Sequence, residues 1–100
     1  MNQKELNMIT DVMYQNREED AYAWLAEHLN DLKKYLLQLV ELAEKNDDVN
    51  ENQLQQYVID LLKRILYYYQ TKRILELADC FCYEFGDIIK LERFLTDGSI

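Results

Sequence analysis

The sequence predicts an all-α fold, an antiparallel bundle of four helices with one short helix at the N-terminus and three long ones. Turn residues are the first observation behind this. The 100-residue chain has no proline and only two glycines, Gly86 and Gly98, whereas a β-rich domain of this length needs several turns that draw on both. Composition is the second. Of the residues, 49% are hydrophobic, enough for a packed interior and too many for a disordered chain. The third is a heptad seam: Tyr22, Leu25, Leu29, Leu32, Leu36, Leu39 and Ala43 alternate at spacings of three and four. That pattern marks a helix with one stripe covered by neighbouring helices. At this length residues 1–100 are expected to form one domain around one core.

Each element has its own local signal. Asn2 and Glu5, three apart, form a reciprocal capping pair that starts a short helix from about Gln3 to Gln15. Leu6, Ile9 and Met13 share one face of it, widened by Met8 and Val12. Asn16 with Glu19 repeats the capping pattern, and Glu18, Glu19 and Asp20 place negative charge where the next helix dipole is positive. A second helix from about Glu18 to Lys45 is then roughly 40 Å long at 1.5 Å per residue. Residues 46–50 (Asn-Asp-Asp-Val-Asn) break it, with Asp48–Glu51 or Asn50–Gln53 as alternative caps for the third helix. That helix presents Leu54, Val58, Leu61, Ile65 and Tyr68, flanked by Tyr57, Leu62, Leu66 and Tyr69.

The next boundary is the least marked. Gln70 to Arg73 is polar and Thr71 is a candidate N-cap. A tight turn is preferred there, because one unbroken helix over residues 50–95 would be about 70 Å long and leave its ends without a core. The fourth helix carries Ile74, Ala78, Phe81, Phe85 and Ile88, with Leu77, Ile89, Leu91 and Leu95 around them. Gly86 is a weak point within it, about 1 kcal/mol less favourable than alanine, and marks a kink or a close helix crossing. Thr96-Asp97-Gly98 ends the helix.

Charge narrows the function classes. The chain carries 11 Lys/Arg against 19 Asp/Glu, a net of −8. The surplus is concentrated in residues 1–50, with 5 basic and 11 acidic side chains, against 6 and 8 in residues 51–100. Nucleic-acid affinity rests on basic side chains that displace counterions, and anionic lipid is disfavoured in the same way. No nucleic acid and no membrane is therefore expected as partner; a basic protein is the natural complement. The N-terminus lacks the basic start and apolar run of a signal peptide, and no stretch approaches the ~20 apolar residues of a membrane span. With Cys80 and Cys82 as its only thiols, pointing about 200° apart on a helix, the chain has no disulfide framework. The expected compartment is a reducing cytoplasm.

The residue types that carry chemistry are sparse. His28, the single histidine, has Asp31 one turn further on, yet a metal site in a bundle needs three or four ligands and uses paired Glu-x-x-His motifs that are missing here. His28 reads as a surface or boundary residue. The run Asp79-Cys80-Phe81-Cys82-Tyr83-Glu84 has no second cysteine pair for zinc, and its acids would raise a thiol pKa rather than lower it. Both cysteines therefore read as small, semi-buried apolar groups, and Asp79 as a partly buried acid bonded to a tyrosine or arginine on another helix. Lys63-Arg64 and Lys72-Arg73 flank the third boundary as ordinary solvated charges, a small basic spot at one end of the bundle. Asp47, Asp48 and Glu51 lack the glycine and ligand alternation of a calcium loop. There is no phosphate-binding loop and no nucleophile elbow, so no catalytic residue, metal or cofactor is expected.

Tyrosine is the unusual feature. The chain has eight tyrosines against three phenylalanines, and Tyr67, Tyr68 and Tyr69 are consecutive. Three successive helix positions span about 200°, so one small bundle cannot bury all three rings. Tyrosine suits surfaces apolar at one end and wet at the other. The expectation is a non-catalytic protein-interaction module with Tyr67, Tyr68, Tyr69 and Trp24 as anchors, binding another protein or a second copy of itself. Its candidate roles are an inhibitor or immunity-type protein, or a chaperone that shields an amphipathic helix. The alternatives are a metal- or small-ligand-binding bundle using His28, Asp31, Asp79 or Glu84, and a purely structural homodimer.

Overall fold

A computed structural model describes residues 1–46 and 49–97 and contains four helices, with no strand among the described residues. The first, α1, spans Gln3–Tyr14. Asn2 caps it: its Oδ1 accepts the Glu5 N–H at 2.8 Å while its Nδ2 donates to the Glu5 carboxylate at 3.1 Å. The reciprocal half of the cap thus runs between side chains rather than to the Asn2 backbone. Leu6, Ile9 and Met13 are buried; Met8 turns to solvent and Val12 is half-buried.

Asn16 does not cap the second helix, α2, which spans Glu18–Ala43 and starts from Arg17 without a side-chain cap. Asn16 instead has a φ of 60° and closes α1. The Arg17 N–H donates to the Val12 carbonyl at 3.2 Å and the Asn16 N–H to that of Met13 at 3.0 Å, the paired bonds of a helix end that reverses through one left-handed residue. Asparagine is among the few non-glycine residues that take this conformation readily. Leu25, Leu32, Leu36 and Leu39 are buried as the heptad seam requires, joined by Ala21, Val40 and Ala43, with Tyr22 and Leu29 packed at the margin.

The third helix, α3, spans Glu51–Gln70, and Asn50 caps it through the Gln53 N–H at 3.1 Å. The alternative cap at Asp48, and the Asp47–Asp48 part of the calcium-loop comparison, lie outside the described residues. The turn after α3 repeats the one after α1. Lys72 has a φ of 58°, the Arg73 N–H donates to the Tyr68 carbonyl at 2.9 Å and the Lys72 N–H to that of Tyr69 at 3.4 Å. Thr71 therefore sits at the C-terminal cap of α3, its hydroxyl donating to the Tyr67 carbonyl at 2.7 Å, and is not the N-cap expected of it. Lysine is a poor left-handed residue. Its ammonium stands 4.4 Å from the Tyr22 ring centroid and 5.3 Å from that of Tyr69, cation–π contacts that offset the strain.

The fourth helix runs without a break through three pieces: α4, Ile74–Asp79; a π-helical segment, Cys80–Phe85; and α5, Gly86–Asp97. The irregularity expected at Gly86 lies in the six residues before it. Within the wider turn the Phe81 and Phe85 rings stack at 4.8 Å and both are fully buried. Gly86 itself marks no close crossing, since a Cβ added there would meet nothing within 4 Å.

The third helix runs back along the second, and the fourth along the third: Tyr22 meets Tyr69, and Tyr57 and Arg64 meet Glu84. The first helix closes the ring against α2 and α4. The longest dimension is 41 Å, matching the roughly 40 Å of α2, so every level of its stripe is covered. No helix among the described residues is long and apolar enough to cross a membrane.

Two backbone positions yield tests. Gly86→Ala should raise stability by about 1 kcal/mol, read as a higher urea midpoint; a lower midpoint would mean that glycine is needed there after all. Lys72→Gly should be more stable than Lys72→Ala by about 1 kcal/mol, since both lose the ammonium and only glycine fits the left-handed turn. Equal midpoints would show that residue 72 abandons this conformation in solution.

Candidate functional site

The three consecutive tyrosines point in different directions, as the helix period dictates, although the Tyr67 and Tyr68 rings still meet edge-on at 5.7 Å. Tyr67 points outward and is 50% exposed, with the Arg73 guanidinium 5.6 Å from its ring. Tyr68 is half-buried and lines a groove between α3 and α4. Tyr69 turns to α2, where its ring meets Tyr22 edge-on at 5.8 Å; the Tyr22 hydroxyl is buried there with no hydrogen-bond partner among the described residues. Trp24 is on another side altogether. It packs edge-on against Phe81 at 6.2 Å and stacks on His28 at 4.4 Å.

The α3–α4 groove has a volume of about 300 Å³ and is built around Glu84. Arg64 donates to Glu84 Oε1 at 2.6 Å, the Tyr57 hydroxyl reaches the same oxygen at 3.3 Å, and Cys80 Sγ donates to Oε2 at 3.1 Å. Tyr57 and Arg64 are seven apart and share one stripe of α3, while Cys80 and Glu84 lie within the π-helical segment. Burial, helped by the adjacent Glu84 carboxylate, pushes the Cys80 thiol and the Tyr57 phenol each up to about 12. The bond to Glu84 also raises Arg64 above its ordinary value. The Arg64 and Glu84 side chains are 43% and 21% exposed, so the pair is worth less than a buried ion pair and serves mainly to fix geometry. Tyr68 and Tyr83 form the aromatic part of the lining, with Glu76 and Asp79 contributing carboxylates.

Several expectations change here. Asp79 is exposed rather than partly buried, yet it does bond to a tyrosine on another helix: Tyr14 donates to its Oδ1 at 2.7 Å. That bond, with some burial, raises the Tyr14 pKa. Neither cysteine is semi-buried: Cys80 is buried, whereas Cys82, two positions round the helix, is exposed. Arg64 is not part of a basic spot with Lys72-Arg73, because Glu84 holds it, while Lys72 and Arg73 stand over tyrosine rings.

The four side chains of the ligand-site alternative fall into two places. Asp79 and Glu84 line the α3–α4 groove. His28 and Asp31 line a smaller hollow of about 110 Å³ with Glu5, Trp24 and Tyr35. His28 is a boundary residue whose Nδ1 lies 2.9 Å from the Trp24 carbonyl. Among the described residues no three His, Cys, Asp or Glu side chains are grouped to hold a metal ion. Sequence reasoning missed the Tyr57–Arg64–Glu84 node. The seven-residue spacing of a tyrosine and an arginine was the available signal, and its partner 20 residues on was not marked by any periodicity.

Comparison with protein-family profiles, with curated proteins and with solved structures returns no significant match for this chain.

The raised pKa values give a pH dependence with a definite sign. The folded chain keeps the Cys80 and Tyr57 protons up to about 12, whereas the unfolded groups release them from 9.0 and 10.0. Folding therefore retains protons in that interval and stability must fall as pH rises through it. The urea midpoint is expected to drop between pH 9.0 and about 12, less steeply in Cys80→Ala. Near neutral pH a thiol reagent should modify Cys82 readily and Cys80 only after unfolding. A midpoint that does not change over this range would contradict the buried Cys80–Glu84 contact.

Proposed function

We propose that this chain is a non-catalytic protein-interaction module that binds through the α3–α4 face. The observation that supports the reading is the juxtaposition of tyrosine and acid on two adjacent helices. Tyr83, 68% exposed, lines a groove together with Tyr68 and the carboxylates of Glu76 and Asp79, and Tyr67, 50% exposed, is the neighbour of Tyr68 on α3. Exposed aromatic rings beside a shaped hollow are the usual anchors of a protein interface. The surrounding negative surface, part of a net charge of −8, steers a basic partner toward it. Tyr69 and Trp24, proposed as anchors from the sequence, face α2 and the α1–α2 hollow, and Tyr83 takes their place in this reading. The two unpaired thiols suit a reducing compartment such as the cytoplasm.

Self-association is the second reading, favoured by the exposed Leu66 beside Tyr67 and the exposed Leu75 near the start of the fourth helix, 40% and 54% accessible. One experiment separates the two. A photo-crosslinking amino acid is placed at position 67 or 83 and, as a control, at the exposed Leu37 on α2. Heterologous adducts from 67 and 83 but not from 37 are the expected result in native cells. Adducts of twice the chain mass would favour the homodimer, and adducts only from position 37 would sink the assignment of this face.

A further inference from the structure

Resting on the reading of the α3–α4 face just given, we infer that its groove receives an arginine side chain from a basic segment of the partner protein, with the guanidinium against Tyr68 and Tyr83 and bonded to Glu76 and Asp79. Charge complementarity is the first support. Three carboxylates and one guanidinium line the groove, and that guanidinium, Arg64, is already bound to Glu84 at 2.6 Å. Among the described residues Glu76 makes no side-chain hydrogen bond or ion pair, and Asp79 uses one oxygen for the Tyr14 hydroxyl at 2.7 Å. Two negative charges thus remain uncovered in the groove. A phosphate or carboxylate ligand would meet all three acids and be repelled.

The rings supply a separate argument. Elsewhere in this chain an exposed or marginal tyrosine near these turns carries a cation: Arg73 stands over Tyr67 at 5.6 Å, and Lys72 over Tyr22 at 4.4 Å and Tyr69 at 5.3 Å. Among the described residues no cation stands over Tyr68 or Tyr83. These two rings lie next to the two uncovered carboxylates, so one incoming cation serves both sets. Arginine fits better than lysine. Its planar guanidinium stacks on an aromatic face, is weakly hydrated, and presents several donors to two acceptors at once. The volume of about 300 Å³ suits one long side chain and its backbone rather than a folded element. Cys80 lies buried at the groove with its S–H already donating to Glu84, so it offers no competing cation site.

The test is titration of the isotope-labelled full chain with short capped peptides that differ only in carrying two arginines, two lysines or two glutamates. The arginine peptide should shift backbone resonances of residues 64–68 and 76–84. The lysine peptide should bind more weakly, and the glutamate peptide should leave them unmoved. Glu76→Gln removes a carboxylate that makes no internal bond, and Tyr83→Ala removes an exposed ring, so both variants keep the fold, checked by circular dichroism. The ring variant should weaken the arginine peptide by about two- to fivefold, and Glu76→Gln should weaken it and reduce its salt dependence. Shifts confined to the Glu5–His28–Asp31 hollow, equal response to the glutamate peptide, or no response to the arginine peptide would each overturn the inference. Crosslinks from positions 67 and 83 report separately on the interface, so that reading can survive the loss of this one.

Discussion

The stripe of leucines on α2 is the constraint from which the rest of the architecture follows. Leu25, Leu32, Leu36 and Leu39 are all at most 4% exposed, and each fully buried leucine is worth about 1.5–3 kcal/mol relative to exposure. A 26-residue helix gains that only if its whole length is covered. One partner helix covers one flank of a stripe and cannot seal both. Residues 74–97 and α1 therefore complete the ring, with Phe81, Phe85 and Ile88 filling the centre from the fourth helix and Leu6, Ile9 and Met13 from the first. The length of α2 sets the 41 Å dimension of the molecule, and so sets how long α3 and the fourth helix have to be.

Joining such rods closely requires turns that reverse the chain in very few residues. Both tight turns of this bundle use one left-handed residue followed directly by an arginine at the start of the next helix, Asn16-Arg17 and Lys72-Arg73. Glycine normally occupies the left-handed position; Asn16 and Lys72 stand in for it, which is how a chain with two glycines and no proline still folds back on itself. The second turn also feeds the surface chemistry. It brings Lys72 over Tyr22 and Tyr69 and Arg73 over Tyr67, so the basic residues at this end serve the rings around them.

What the sequence made legible was whatever depends on periodicity. The core faces of α1, α2 and α3, the cap at Asn2 and, as one of two alternatives, the cap at Asn50 derive from local spacing, which a helix conserves; the break after Gln70 follows instead from the length an unbroken helix would have. What it hid depends on competition between local options. Asn16 and Thr71 each had two uses, capping the helix ahead or closing the helix behind. The outcome rests on carbonyls at Val12, Met13 and Tyr67 that no spacing rule ranks. The same holds for the thiols. Cys80 and Cys82 look alike in sequence, yet a rotation of about 200° buries one and exposes the other. The tyrosine run showed that three rings cannot share one interior, but the direction of each depended on which neighbour helix stood there.

The π-helical segment links core and surface, with Phe81 and Phe85 buried and Tyr83 and Glu84 lining the groove. Within this segment two pairs four residues apart meet on different sides of the helix: Phe81 and Phe85 stack within the core, while Cys80 and Glu84 bond on the flank toward α3. π-helical turns are rare, occur mostly as short bulges inside α-helices and are frequent at functional sites. Here the turn is held from outside by Tyr57 and Arg64, both reaching Glu84 from one stripe of α3. Those contacts pair the Glu84 carboxylate and fix the groove wall, while Glu76 and Asp79, one turn and more away, have no ion pair among the described residues. Among the described residues this groove thus ties its own arginine to one carboxylate and leaves two others beside the Tyr68 and Tyr83 rings, over which no cation stands.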